Sequence, residues 1–558
     1  MTAAPGELTL PRSGGVVRGL VLVLLCLAMF LPGLNRLPPT DRDESRFAQA
    51  SRQMVESGNY IDIRFQDVPR YKKPVGIYWL QSAAVALVGE GADSPIWVYR
   101  LPSFLAGLCA VLLLYGFGRR FAGDDVAFAA SALLAAALVL NIESRLAKTD
   151  ASLLMATTGA LAIFGTVYAR VVAGRAVPWL LPLAGWAFLG VGVLIKGPIT
   201  PMVAGLAVAS LAVADRGLGR TAAYLRALRP VSGLLLVGVI VLPWLIAISL
   251  ISNGQFLASS VGGDLATKLT GGAESHGAPP GYYFLTMTGM LWPGALLVGL
   301  GLPWAWQQRR QPFVRFCLAW AVPSFIAFEL FPTKLPHYTL PCDPALLLLG
   351  AGAALAGFRP VSRLGKVWRG LVLTGFGGVG LALGLGLAGL DWRFGGGPSV
   401  AGIGAALVAV LATASVLWLE HRGRIARAIM VMVVGAAALY GAAFAFILPG
   451  IDAVWPSRAL AARLTDLGVA DAPTLLAVGY SEPSLVFLTR TDILMTAPEE
   501  AAAVFRDRPG AVALVEAGSR AAFDAALGGA GVADLGHVEG INVSRGKPVD
   551  IAILRRVP

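Results

Sequence analysis

Apolar runs of about 20 residues, the length a helix needs to cross the hydrocarbon of a bilayer, recur along the chain from residue 16 to residue 448. They predict helices near 16–33, 97–118, 124–141, 150–172, 178–194, 199–214, 230–251, 282–303, 313–331, 336–357, 368–390, 399–419 and 424–448. Past residue 450 the period changes. Thr474–Tyr480, Ile493–Thr496 and Ala511–Glu516 read as strands, separated by helical stretches at Glu482–Arg490, Pro498–Arg506 and Arg520–Ala526. Ile541–Val543 and Ile551–Leu554 flank a Ser544-Arg545-Gly546-Lys547 turn, which is a hairpin signal. The pattern predicts an all-α polytopic membrane protein of about thirteen spans, residues 1–450 with a long outer loop at 34–96, followed by a small soluble α/β domain at 451–558.

Composition excludes a soluble globular protein for the first part. Hydrophobic side chains make up 56% of the chain and charged ones only 14%, with a mean hydropathy of +0.69, too little polar surface to face water. The run at 16–33 lacks a small-residue cleavage site and reads as a retained helix. All four cysteines fall in predicted spans, so neither a disulfide nor a Cys-rich metal site is indicated.

Charge sets the orientation, because cytoplasmic loops carry an excess of Lys and Arg. With the N-terminus inside, six inner loops hold eighteen such residues and five short outer loops hold six. Counting the apolar run 75–90 as a further span would reverse this asymmetry, so it is expected to lie along the outer interface. The last domain then falls outside. The same bias accounts for the net charge of +12 and gives no reason to invoke nucleic acid.

Ionisable groups near a membrane are costly and generally have a partner or a task. Here they collect on the outer face: Asp41, Asp43, Glu44, Arg46, Tyr71, Lys72, Lys73 and Tyr78 in the first outer loop, Glu143, Arg145, Lys148 and Asp150 in the next, then Lys196, Glu274, His276, Lys334, His337 and Tyr338. Structural readings stand beside functional ones. Thr40 and Asp43 have the spacing of a helix N-cap and its capping-box partner, and Asp41-x-Asp43 is also a loose metal pattern. Lys72 and Lys73 suit an interfacial anchor as well as a binding site. Lys196, between two uncharged spans with little room to snorkel, favours function. Asp343, inside a span, has no evident role.

The collinear set Asp43-Glu44-Ser45-Arg46-Phe47, Tyr71-Lys72-Lys73-Pro74, Tyr78-Trp79-Leu80, Arg100-Leu101-Pro102, Arg145-Leu146-Ala147-Lys148-Thr149-Asp150, Lys196-Gly197-Pro198 and Lys334-Leu335-Pro336-His337-Tyr338 resembles the C-type membrane glycosyltransferases. Within them it is most similar to the bacterial aminoarabinose transferases that modify lipid A, relatives of the protein O-mannosyltransferases. The resemblance implies an enzyme of the bacterial inner membrane that moves a sugar, with inversion, from undecaprenyl phosphate to lipid A or another envelope acceptor. It implies catalytic carboxylates at Asp43, Glu44 and Asp150. It further implies a substrate and phosphate site formed by Arg46, Lys72, Lys73, Tyr78, Arg100, Arg145, Lys148, Lys196, Lys334, His337 and Tyr338. The family's Lys-Pro lysine, here Lys73, is preceded by a Glu that can join an outer-loop histidine in holding a metal ion. This chain has Lys72 there, which puts a divalent metal at His276 and Glu274 in doubt and hints at an acidic sugar. Two other classes remain open: a transferase acting on protein hydroxyls, and a transporter of lipid-linked sugars, against which the one-sided charge clusters speak.

Overall fold

The computed structural model describes residues 14–215, 218–265, 277–529 and 531–557. Each of the thirteen predicted runs is helical. Seven helices among the described residues are long and apolar enough to cross a membrane, Ile96–Ala122, Asp150–Val172, Gly219–Ile251, Pro312–Leu330, Arg363–Phe394, Val400–His421 and Ile425–Gly450, and shorter apolar helices accompany them. The chain is a multi-pass membrane protein. In chain order, the first helices are α1 (Gly14–Phe30), α2 (Asp43–Ser57), α3 (Gly76–Val88), α4 (Ile96–Ala122), α5 (Asp124–Ala136), α6 (Leu138–Glu143), α7 (Asp150–Val172), α8 (Leu180–Lys196) and α9 (Ile199–Ala214).

Packing separates inner from lipid-facing helices. Helix α7 is buried almost throughout, surrounded by α4, α8, α9 and the helix Pro312–Leu330. The helix Pro230–Ile251 instead exposes Leu234 (61%), Leu235 (67%) and Val239 (72%), side chains that acyl chains cover at no hydrophobic cost. The run at 124–141 breaks at Ala137. The Asn141 amide donates to the Ala135 and Ala137 carbonyls at 2.7 and 3.0 Å, satisfying backbone groups that the break frees.

Helix α3 has 13 residues, about 20 Å at 1.5 Å per residue, short of the roughly 30 Å hydrocarbon core. Its first residue, Gly76, lies so close to the end of α8 that a Cβ there would meet the Leu194 carbonyl at 2.7 Å. Its last turn leads through a compact 91–93 turn into α4, whose Arg100 reaches back to α2. Both ends of α3 therefore sit at the same end of the bundle, the arrangement expected for an interfacial helix.

The C-terminal unit has the predicted αβ alternation. A short ribbon in the outer loop supplies β1 (Arg64–Phe65) and β2 (Val68–Pro69); then β3 (Leu475–Val478), β4 (Leu494–Met495), β5 (Val512–Glu516), β6 (Val532–Asn542) and β7 (Lys547–Arg556) form a sheet of order β4-β3-β5-β7-β6. β3 runs parallel to β4 and β5, whereas β7 is antiparallel to β5 and β6. Strand β3 is buried along its length, and two apolar clusters cover the sheet's faces.

Candidate active site

The polar ends of α2, α7 and α8 converge on one cavity of about 780 Å³, closed by the stretches 70–74 and 331–338. Asp43 and Arg46 are i and i+3 on α2 and so share a face; both line the cavity, together with Lys72, Lys73, Lys148, Asp150, Lys196, His337 and Tyr338. Residues from five separate segments thus meet at one place.

Asp43 is the open carboxylate of this set. It begins α2, yet caps nothing: the N-cap position is held by Arg42, without a side-chain cap. The expected capping box is replaced by Glu44, whose Oε2 accepts from the Thr40 N–H at 2.8 Å and its hydroxyl at 2.9 Å. Burial pushes the Asp43 carboxyl up, but Lys148 and Arg70, with help from Arg46, outweigh it and hold it below its ordinary value. A carboxylate so placed stays ionised and able to accept a proton.

Behind Asp43 lies a chain of opposite charges. Lys196 Nζ is 2.6 Å from Asp150 Oδ1, and Lys148 Nζ is 3.1 Å from Glu143 Oε2. His337 bridges the two pairs, with Nδ1 3.6 Å from Glu143 and Nε2 3.7 Å from Asp150. The helices favour this arrangement: Asp150 starts α7 and Lys196 ends α8, each complementing the local helix dipole. Lys196 also lies 5.3 Å from the Tyr338 ring centroid, within cation–π range.

Glu143, Asp150 and His337 present ligand atoms within 4.8 Å of one another, which raises a metal site. The donor set does not fit one. Both carboxylates are already matched by lysine ammonium groups at hydrogen-bonding distance, and a divalent cation would sit against two like charges. The other metal candidates, Glu274 and His276, lie outside the described residues.

Five assignments change with the side-chain directions. Glu44 is sealed from solvent, and its oxygens are taken by Arg100, Thr40 and the Ala147 N–H; it secures the base of α2 and has no free valence for a substrate. Arg100 is its partner and also donates to the Leu34, Leu37 and Pro38 carbonyls. Arg145 is fully buried, donating to the Pro32 and Asn141 carbonyls at 2.8 and 2.5 Å and to that of Met29, beneath the Phe444 ring. Lys334 is 4% exposed and donates to the Phe331 carbonyl at 2.8 Å. Tyr78 packs on Phe47 at 5.4 Å between centroids and is fully buried. Arg100, Arg145, Lys334 and Tyr78 are absent from the cavity wall. Arg42 and Arg70, which sequence reasoning passed over, are part of it; only their position beside recognised site residues could have drawn attention to them. Glu143 was legible as an outer-face charge but not as a partner of Lys148.

Part of the chain matches a known family model, and nearly all of it shares a fold with solved membrane proteins. Residues 72–246 match the family model described as dolichyl-phosphate-mannose-protein mannosyltransferase. An undecaprenyl phosphate-alpha-4-amino-4-deoxy-L-arabinose arabinosyl transferase of Pseudomonas fluorescens is 31% identical over 55% of this chain and 54% of its own length. Its counterpart from Proteus mirabilis is 27% identical over 60% and 59%, so the chain spans little more than half the length of these relatives. The crystal structure of ArnT from Cupriavidus metallidurans bound to undecaprenyl phosphate superposes with a TM-score of 0.74 over 97% of this chain and 98% of that one, at 20% identity. The oligosaccharyltransferase of Archaeoglobus fulgidus shares the fold more distantly, with a TM-score of 0.51, 13% identity and coverage of 87% and 65%.

Proposed function

We propose that this protein transfers a sugar from a polyprenyl-phosphate carrier to lipid A or another cell-envelope acceptor, with inversion at the anomeric carbon. The observation that carries this reading is the cavity itself, in which one open, ionised carboxylate, Asp43, faces cations drawn from four chain segments. An acceptor oxygen attacks the anomeric carbon as the bond to the carrier phosphate breaks. The phosphate leaves with the bonding electrons, and Asp43 takes the acceptor's proton, help typically worth about 10²–10⁴-fold. Arg46, Arg70, Lys73, Lys148 and Lys196 offset the charge that develops on the phosphate. If the acceptor is an ionised phosphate, no proton moves and Asp43 orients it. The apolar wall of Val241, Trp244, Leu245, Phe328 and Phe331 suits the isoprenoid chain.

The match to a protein mannosyltransferase model supports a second reading, a protein-hydroxyl acceptor, with the same chemistry. Purified protein in lipid, given a labelled undecaprenyl-phosphate sugar, tests both: label moving to lipid A supports the first, label moving to a peptide the second, and no release of undecaprenyl phosphate overturns transfer altogether.

For location we propose the bacterial inner membrane with the C-terminal domain outside the cytoplasm. Alkaline phosphatase fused after residue 460 then gives an active reporter; an inactive one reverses the topology.

A further inference from the structure

We propose that Arg42 is a positioning residue through which the C-terminal domain sets the direction of Asp43, an inference that rests on reading Asp43 as the acceptor-side carboxylate. Arg42 immediately precedes Asp43 and has φ 62° and ψ −102°, a left-handed backbone that a residue with a Cβ adopts only when its surroundings impose it. Within the outer loop 34–96 two non-glycine residues have positive φ, Arg42 and Gln66. Both send their side chains into the C-terminal domain. Arg42 Nη2 donates to the Ser544 carbonyl at 2.9 Å, and Gln66 Nε2 to the Thr491 and Ile493 carbonyls at 3.0 and 2.7 Å.

The grip continues along α2. The Ser484 N–H donates to Asp41 at 3.3 Å, Gln49 donates to the Thr491 hydroxyl at 2.8 Å, and Arg52 to the Phe487 carbonyl at 3.2 Å. What distinguishes the Arg42 contact is its place, one peptide bond from the open carboxylate. Releasing Arg42 lets its φ return to the ordinary negative region, and the first turn of α2 then swings Asp43 away from the cations that surround it.

The acceptor of Arg42 is itself held. Ser544 lies in the β6–β7 turn, where Asn542 Oδ1 accepts the Arg545 N–H at 3.0 Å and the Asn542 carbonyl accepts the Gly546 N–H at 2.8 Å. Asn542 is 2% exposed and donates to Glu482 at 2.8 Å; it does not line the cavity. A substitution at Asn542 therefore acts on Asp43 at a distance, through the turn and Arg42, and Gly546→Ala, which leaves the Glu482 contact in place, isolates that route.

The test uses the full-length protein in lipid with a labelled undecaprenyl-phosphate sugar. Release of undecaprenyl phosphate by the unaltered protein, lost in Asp43→Asn, establishes the underlying reading, and its absence, or its persistence in Asp43→Asn, removes that reading before Arg42 is judged. Arg42→Ala is expected to lower kcat about 10-fold or more with donor KM within about twofold, and Asn542→Ala to lower kcat in the same direction. The double variant should lose no more than Arg42→Ala alone, as members of one chain of contacts do. Thr491→Ala, which cuts the Gln49 contact farther along α2, should leave kcat near normal. If Asn542→Ala is not recovered folded, Gly546→Ala replaces it, since φ of 65° there strains an alanine without emptying the core. Multiplying losses in the double variant, a rise in KM at unchanged kcat, or an equal loss in Thr491→Ala would each overturn the proposal.

Discussion

Arg100 grips Glu44 with two hydrogen bonds, Nε to Oε1 at 2.7 Å and Nη2 to Oε2 at 3.1 Å, and both side chains are wholly sealed from solvent. Burial would raise the Glu44 carboxyl; the Arg100 charge and the donors around it hold it below its ordinary value. Removing one partner of such a pair strands a buried charge and typically costs about 3–5 kcal/mol. Arg100→Met is therefore expected to reduce the folded, membrane-inserted protein sharply, while Arg100→Met with Glu44→Met recovers part of the loss. Melting temperatures in detergent check this, and a stable but inactive Arg100→Met would instead place Arg100 in the chemistry.

Asp43 and Glu44 are adjacent and chemically alike, yet their expected phenotypes differ. Asp43→Asn keeps the shape, removes the negative charge and cannot accept a proton. It should insert at near-normal levels and transfer sugar at least about 10²-fold more slowly. Thr40→Ala removes one hydrogen bond to Glu44, that of the hydroxyl, while the Thr40 N–H bond remains; the loss is about 1 kcal/mol, and the variant should retain most activity. Near-normal transfer by Asp43→Asn would leave Asp150 as the better candidate.

The phosphate clamp should depend on charge at specific lysines. Lys73→Met and Lys196→Met each remove a cation from the cavity wall, and each should weaken donor use while insertion is preserved. Lys334→Met removes a cation that does not itself line the cavity and is bonded to the Phe331 carbonyl, and it should change donor KM far less. Donor titrations of the three variants separate these outcomes; equal effects would mean the cavity does not hold the phosphate.

The membrane part was legible because hydropathy over about 20 residues is a strong signal. The convergence of Asp43, Lys73, Lys148, Asp150, Lys196 and His337 could be anticipated only as shared placement on the outer face. Direction within that face was not legible. Successive residues on a helix point about 100° apart, so Asp43 opens to the cavity while Glu44 turns to Arg100, and nothing in the Asp-Glu pair says which does which. Arg100 and Arg145 stood as phosphate ligands only through the resemblance; backbone carbonyls, invisible in sequence, claimed both, together with Glu44 for Arg100. The C-terminal strands came from alternating apolar positions and a turn, but their docking on α2 joins residues more than 400 positions apart and left no local trace.

The last expectation concerns pH and the joint between the outer loop and the C-terminal domain. Burial, reinforced by the nearby Glu482 charge, pushes the Asp41 carboxyl up to about 6 from its ordinary 3.8, although Ser484 and Arg42 favour the ionised form. A carboxyl raised on folding contributes stability that is complete below the unfolded value and is lost as pH rises through the folded one. The joint should therefore weaken between about pH 4 and pH 6, by on the order of 3 kcal/mol in total. Asp41→Asn removes the ionisation and keeps an oxygen for the Ser484 N–H. It should melt higher than the unaltered protein at pH 7 and about equally at pH 4, read as the difference between the two proteins across a pH series. A difference that is flat with pH, or largest at pH 4, would show that Asp41 is ionised in the folded protein over this whole range.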